Sequence, residues 1–148
     1  IAASEPTTLL WLGLGLVVIG LAFKIAVVPF HQWVPDVYQG APTNVTGFMA
    51  AATKTVAFAV LLRFLVGAFG NQTDIWVPMI TWLAILTMTV ANLVALAQTN
   101  LKRLLAYSSI SQMGYVLVAL GINTPLGVLA AVFHAKLVVL SPHVPVVV

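Results

Sequence analysis

The sequence contains no cysteine and only three acidic residues in 148. Without thiols there can be no disulfide, no structural zinc site, no thiolate-bound cluster and no thiol nucleophile. Charge of either sign is scarce: charged residues make up 6% of the chain, against about 25% in an ordinary soluble domain. Six Lys/Arg and three Asp/Glu cannot solvate the surface of a protein this size. What is present is apolar, with 61% hydrophobic residues and a mean hydropathy of +1.10. Most of the surface must therefore face lipid or other protein, and the chain is expected to be embedded in a membrane. The net charge of +3 does not point to nucleic acid, because with so few charges their positions matter more than their sum.

A membrane helix needs about 20 mostly apolar residues to cross a hydrocarbon layer about 30 Å thick. Such stretches run over residues 8–28, 45–69, 77–97 and 101–120, and a fifth runs from 126 to 140 before Pro142 and Pro145 interrupt it. The fold class is thus all-α, a polytopic transmembrane bundle of about five helices. Ser4, Glu5 and Pro6 read as a helix start. The connector 29–44 holds Pro29, Pro35, Gly40 and Pro42, so the first helix is broken near Pro29. The other connectors, 70–74, 98–100 and 121–125, are short and polar. A signal peptide is not expected, since the first apolar stretch is too long and lacks a basic lead. The abrupt ends and the absence of an initiating Met read as a fragment of a longer chain. Lys102 and Arg103 are the basic residues found in a connector, which places that connector and the 29–44 connector inside, with Glu5 and Asp74 outside.

Two lysines stand out because they lie inside apolar stretches. A charged side chain at the bilayer centre costs about 2.5–3.5 kcal/mol on insertion scales. Lys24 lies about five residues from Pro29, roughly 7–8 Å, so its ammonium can snorkel to water or face the interior. Lys54 has about nine helical residues before it and about fifteen after, leaving the nearer interface roughly 13 Å away. An interior position lining a hydrated path suits it better. Arg63, near the end of the same stretch, is expected to snorkel. No acid lies in any apolar stretch, so a carboxylate partner must come from outside this sequence.

His31, in the proline-rich connector, can titrate near neutral pH or simply bond within a tight turn. His134, in the fifth stretch, can likewise be a packed neutral imidazole. No His pair has metal-ligand spacing near carboxylates, so no metal is expected. In the fourth helix Ser108, Ser111, Gln112 and Tyr115 recur at spacings of three and four and share a face, flanked by Tyr107 and Ser109. Such a stripe either glues helices together or lines a wetted path. Thr87 and Asn92 in the third helix are weaker signals of the same kind.

Phe23-Lys24, then Pro29-Phe30-His31-Gln32-Trp33-Val34-Pro35-Asp36-Val37-Tyr38-Gln39-Gly40-Ala41-Pro42, and Lys54 thirty residues after Lys24, resemble the antiporter-like membrane subunits of respiratory complex I, NADH:quinone oxidoreductase. So does the run from Leu101-Lys102-Arg103 through Tyr107-Ser108-Ser109-Ile110-Ser111-Gln112-Met113-Gly114-Tyr115. The form of the 36–42 run is similar to the subunit N type, called subunit 2 in mitochondria. The resemblance spans about residues 10–134. The tail 135–148 departs from the family pattern, and no role is carried over to Lys136 or His143.

The resemblance implies about fourteen helices in two inverted repeats, of which this chain would be the seventh to eleventh. It implies proton transfer through Lys24 and Lys54. His31 is a further candidate for proton transfer, connecting the axis to the inner side. Ser108, Ser111, Gln112, Tyr115 and His134 are candidate path lining, with helix–helix glue the favoured reading of the stripe. Lys24 would pair with a glutamate on a helix outside this chain. It implies no cofactor in this chain: NADH, flavin, iron–sulfur clusters and quinone are expected in partner subunits. The implied partners are the other membrane and peripheral subunits of complex I and the lipid bilayer, with no nucleic acid, in a bacterial inner membrane. Two other readings stay open: a subunit of a cation/proton antiporter, and a structural membrane subunit that pumps nothing. A membrane enzyme with its own active site is disfavoured by the lack of any acid–base pair, thiol or metal cluster.

Overall fold

The computed structural model describes residues 8–140, with side chains to Leu137, and those residues are entirely helical or in short turns. Helix α1 spans Thr8–Ile25, α2 Trp33–Gly40, α3 Thr43–Ala68, α4 Thr73–Leu96, α5 Leu101–Gly121 and α6 Pro125–Leu140. Four of these, α1, α3, α4 and α5, are long and apolar enough to cross a membrane. The start signal at Ser4–Pro6 and the prolines at 142 and 145 lie outside the described residues.

Each boundary has a local cause. α1 stops at Ile25, three residues short of the apolar run, because Ala26 turns into the left-handed region at φ 68°. The Val28–Pro29 bond is cis, and Val34 N donates to the His31 carbonyl at 3.0 Å to start α2. After Gly40, Ala41 is extended and Pro42 precedes α3, its carbonyl accepting from the Thr46 amide at 3.0 Å. α4 begins at Thr73, ahead of its apolar run. Its first turn carries Asp74, whose charge suits a helix N-terminus. Asn100 caps α5, its Oδ1 accepting from the Lys102 and Arg103 amides. α6 opens with Pro125 in its first turn, and the Thr124 hydroxyl accepts from the Gly127 amide at 3.0 Å.

α3 is one continuous helix with two π-helical stretches, Met49–Thr53 and Arg63–Ala68. The first ends immediately before Lys54. Thr53 and Thr55 on either side of Lys54 turn their hydroxyls back onto the Met49 and Ala51 carbonyls, at 2.6 and 2.8 Å. Back-bonded threonines and π turns both loosen the regular ladder and re-aim nearby side chains.

α5 is the central helix. Half of its span is buried, against 22% for α1 and α4. One core joins Leu14, Val18 and Ala22 of α1, Phe58, Leu61 and Leu65 of α3, Trp76, Ile80 and Ala84 of α4, and Met113, Val116 and Leu117 of α5. A second, smaller core of Ala26, Val28, Val34, Tyr38, Ala50, Ala91, Ala106 and Ile110 seats α2. Gly114 sets the α4–α5 approach, since a Cβ there would meet Met88 Cγ at 2.6 Å. The outer faces are apolar: Leu16, Phe23, Trp82, Leu93, Leu126 and Phe133 are all more than half exposed. Such faces are stable against acyl chains or neighbouring helices and not against water.

Candidate functional site

Lys54 is the one charged residue buried among the described residues, with 1% of its surface exposed. Its Nζ donates to the Ser109 hydroxyl of α5 at 2.8 Å and lies 5.6 Å from the ring centroid of Tyr38 on α2. Ser109 and Tyr38 are themselves buried, at 2% and 3% exposure, and the buried Tyr38 hydroxyl has no hydrogen-bond partner among the described residues. No described carboxylate touches Lys54. Asp36 is paired with Arg103 at 2.8 Å, and Asp74 is exposed at the start of α4. Burying a lone charge is costly, so this lysine is held by a hydroxyl dipole and a π face alone.

Lys24 lies elsewhere. It sits exposed on the last turn of α1, in an open groove of about 360 Å³ with Ala52, Thr53, Val56 and Ala57 of α3. It has no hydrogen bond or ion pair among the described residues. Lys54 points from the same helix into the interior, and no hydrogen bond joins the two lysines. His31 sits half-buried in the break between α1 and α2, edge-on to Tyr107 with ring centroids 6.1 Å apart. Burial pushes its pKa below the ordinary 6.5, with the Pro29 backbone pulling the other way.

The backbone groups freed at the break find partners, while the buried His31 Nδ1 has none among the described residues. The Phe23 carbonyl, freed by the end of α1, accepts from the Ala26 amide and from Trp33 Nε1, both at 3.1 Å, while the Phe23 and Trp33 rings stack. The buried Val28 amide donates to Thr87 Oγ1 of α4 at 3.1 Å. α2 is then docked on α5 by Arg103, whose Nη1 donates to Asp36 Oδ1 at 2.8 Å and Gln39 Oε1 at 3.0 Å.

The stripe on α5 divides between two neighbours. Ser111 donates to Asn92 Oδ1 of α4 at 2.9 Å, whereas Gln112 Oε1 lies 2.8 Å from His134 Nε2 of α6. Tyr115 meets the His134 ring edge-on, with centroids 6.3 Å apart. Ser108 and Tyr115 line a partly polar groove of about 390 Å³ together with Asn92, Ser111 and Gln112. The lysine contact uses a different face of α5, through Ser109, which sequence periodicity left as a flank. Tyr38 and Thr87 also gain weight only in three dimensions. The sequence signal for Tyr38 is its place between Pro35 and Pro42, in a segment too short to pack as an independent span. Among the described residues no cluster of metal ligands occurs.

A bundle of apolar helices that carries a buried lysine and a broken helix is a polytopic integral membrane protein. Residues 2–141 match the family described as NADH:quinone oxidoreductase/Mrp antiporter, TM, and the chain belongs to that family. It is 50% identical over 141 residues to NADH-quinone oxidoreductase subunit N of Desulforamulus reducens, covering 95% of this chain and 30% of that protein. It is 53% identical over 134 residues to the subunit N of Laribacter hongkongensis, covering 90% and 28%. Among solved structures it resembles a chain of the Mrp complex from Dietzia sp. (TM-score 0.81, 26% identity, 87% of this chain, 24% of that one). It also resembles a chain of respiratory complex I from Thermus thermophilus (TM-score 0.70, 42% identity, 93% and 32%). The chain therefore spans about a quarter to a third of the length of the proteins it matches.

Proposed function

We propose that this chain is part of a proton-translocating membrane subunit of NADH:quinone oxidoreductase, of the subunit N type, in a bacterial inner membrane. The observation that carries the reading is Lys54, buried in a membrane span and bonded to Ser109 with no carboxylate beside it. In this reading Lys54 takes and releases a proton inside the membrane, and Lys24 is its neighbour on the path. Two lysinium ions on one hydrated axis repel each other, so loading one favours release from the other. A carboxylate from the remainder of the subunit holds Lys24 charged until it moves away. His31, in the break, links the axis toward the inner side, and Ser108, Ser111, Gln112, Tyr115 and His134 hold water or neighbouring helices along α5. Redox chemistry, with NADH, flavin, iron–sulfur clusters and quinone, belongs to partner subunits in the membrane and peripheral parts of the complex.

The antiporter reading draws on the higher TM-score of the Mrp structure. Fold is what that likeness expresses, at 26% identity, whereas the complex I chain agrees at 42% and the subunit N proteins at about half of all positions. The sequence agreement favours complex I. The test uses the full-length subunit in its assembled complex, in inverted membrane vesicles, with Lys54→Met and Lys24→Ala made separately. NADH oxidation and NADH-driven acidification are recorded together. Each variant is expected to lose ~100-fold or more in acidification, the scale of removing a proton-transfer group. Wild-type oxidation and acidification in both variants would overturn the proposal and leave a structural subunit.

A further inference from the structure

We infer that Tyr38 and Ser109 are positioning residues for Lys54, forming an ammonium seat through which the second half of the broken helix acts on that lysine. The inference rests on the proton-path reading of Lys54 and goes beyond it by naming what holds the amine.

Three different elements meet at one nitrogen. Lys54 comes from α3, directly after its π-helical stretch Met49–Thr53. Ser109, on the central helix, accepts its hydrogen bond at 2.8 Å. Tyr38 presents a ring face at 5.6 Å from the same nitrogen, within the reach of a cation–π contact. All three residues are almost wholly buried, and with no described carboxylate in contact these two groups supply the stabilisation of a charged Lys54. A hydroxyl and a π face hold an ammonium strongly enough to order it and weakly enough to release it, unlike a buried carboxylate.

The position of the ring is set from outside the seat. Tyr38 lies on α2, eight residues long, between Asp36 and Gln39, which Arg103 ties to the first turn of α5. Ser109 lies less than two turns further along α5. The same docking contact thus fixes both halves of the seat relative to each other. A shift of α2 against α5 carries the ring off the ammonium while Ser109 remains.

The test uses inverted vesicles with the full-length subunit in its assembled complex, normalised to assembled complex on native gels. Ser109→Ala and Tyr38→Leu remove the two halves, Ser109→Thr and Tyr38→Phe retain them, and Lys54→Met is measured alongside. NADH-driven acidification is expected to fall about 10-fold in Ser109→Ala, the scale of one hydrogen bond to a charged group, and about 10-fold in Tyr38→Leu, the scale of a desolvated cation–π contact. The Thr and Phe variants are expected to keep at least about half of the wild-type rate, since they preserve the lone pair and the π face. Equal losses in the conservative and the disruptive member of both pairs would overturn the inference, because shape alone would then be at issue. So would wild-type rates in the Ala and Leu variants alongside an inactive Lys54→Met, with the proton-path reading left standing. A fully active Lys54→Met would instead remove the proton-path reading itself, and this inference with it. Should Ser109→Ala lower assembly, the Tyr38 pair decides by the same criterion.

Discussion

Replacing Thr87 with valine keeps the shape of the side chain and removes its hydrogen bonding, which isolates the contact that pins the broken helix. Thr87 is fully buried, and its Oγ1 accepts from the Val28 amide at 3.1 Å while donating to the Leu83 carbonyl at 2.6 Å. The Leu83 carbonyl, inside α4, remains an acceptor in the helical ladder when the hydroxyl is lost, so little cost arises there. The Val28 amide, at a residue 6% exposed and between two helices, has no such alternative. Leaving a buried donor unmade costs about 1–3 kcal/mol. If that cost falls on the folded break, local opening of residues 26–30 becomes about 5- to 140-fold more frequent, at 1.4 kcal/mol per tenfold. The assay is hydrogen exchange read by mass spectrometry on peptides covering the break, in the detergent-solubilised complex. Thr87→Val should speed exchange there by that factor and leave the middle of α5 unchanged, and Thr87→Ser should restore protection. Unchanged exchange around Val28 in Thr87→Val would refute the reasoning, since the amide would then have to be satisfied by something else.

Gly114→Ala places a methyl 2.6 Å from Met88 Cγ and 3.2 Å from the Met88 amide nitrogen, and should cost about 1–3 kcal/mol, seen as a lower midpoint of thermal inactivation. Gly15→Ala, where nothing lies within 4 Å, should leave that midpoint unchanged or slightly higher. Burial lowers the pKa of His31 below its ordinary 6.5, so the folded protein binds fewer protons there than the unfolded chain. Its contribution to stability is therefore present above about pH 6.5 and lost as pH falls from there through the lowered value. Thermal inactivation compared at pH 7.5 and 5.5 should show a smaller acid penalty in His31→Gln than in the wild type.

The apolar runs made the helices and their approximate bounds readable, because in lipid every backbone polar group must be satisfied within a segment and only a helix does that. Where bounds shift, the causes are local and not visible in hydropathy. α1 ends at Ile25 because Ala26 takes a left-handed turn inside an apolar run. α4 starts at Thr73, four residues ahead of its apolar run, with the charge of Asp74 suited to the helix N-terminus. The unusual cost of Lys54 was equally legible, since a charge far from either end of an apolar stretch stands out by composition alone.

Its partners were not legible. Ser109 lies 55 residues from Lys54, and one serine in a run of several carries no mark of which faces inward. Tyr38 reads as part of a proline-bounded connector until α2 folds back on α5. The Thr87 contact with Val28 joins residues 59 apart, on a helix face where a threonine is ordinarily bonded only to its own backbone. Periodicity grouped Ser111 and Gln112 on one face, and the neighbours they bond, Asn92 on α4 and His134 on α6, follow from how three helices surround α5. The sequence by itself determined that this is a helical membrane protein, that its first helix breaks at the proline-rich connector and which lysine is costly to bury. These follow from local terms, transfer energy and backbone sterics, that each segment carries alone. Only the tertiary structure decided what holds that lysine and what pins the break, because those contacts depend on helix rotation and register, which packing of several helices sets together.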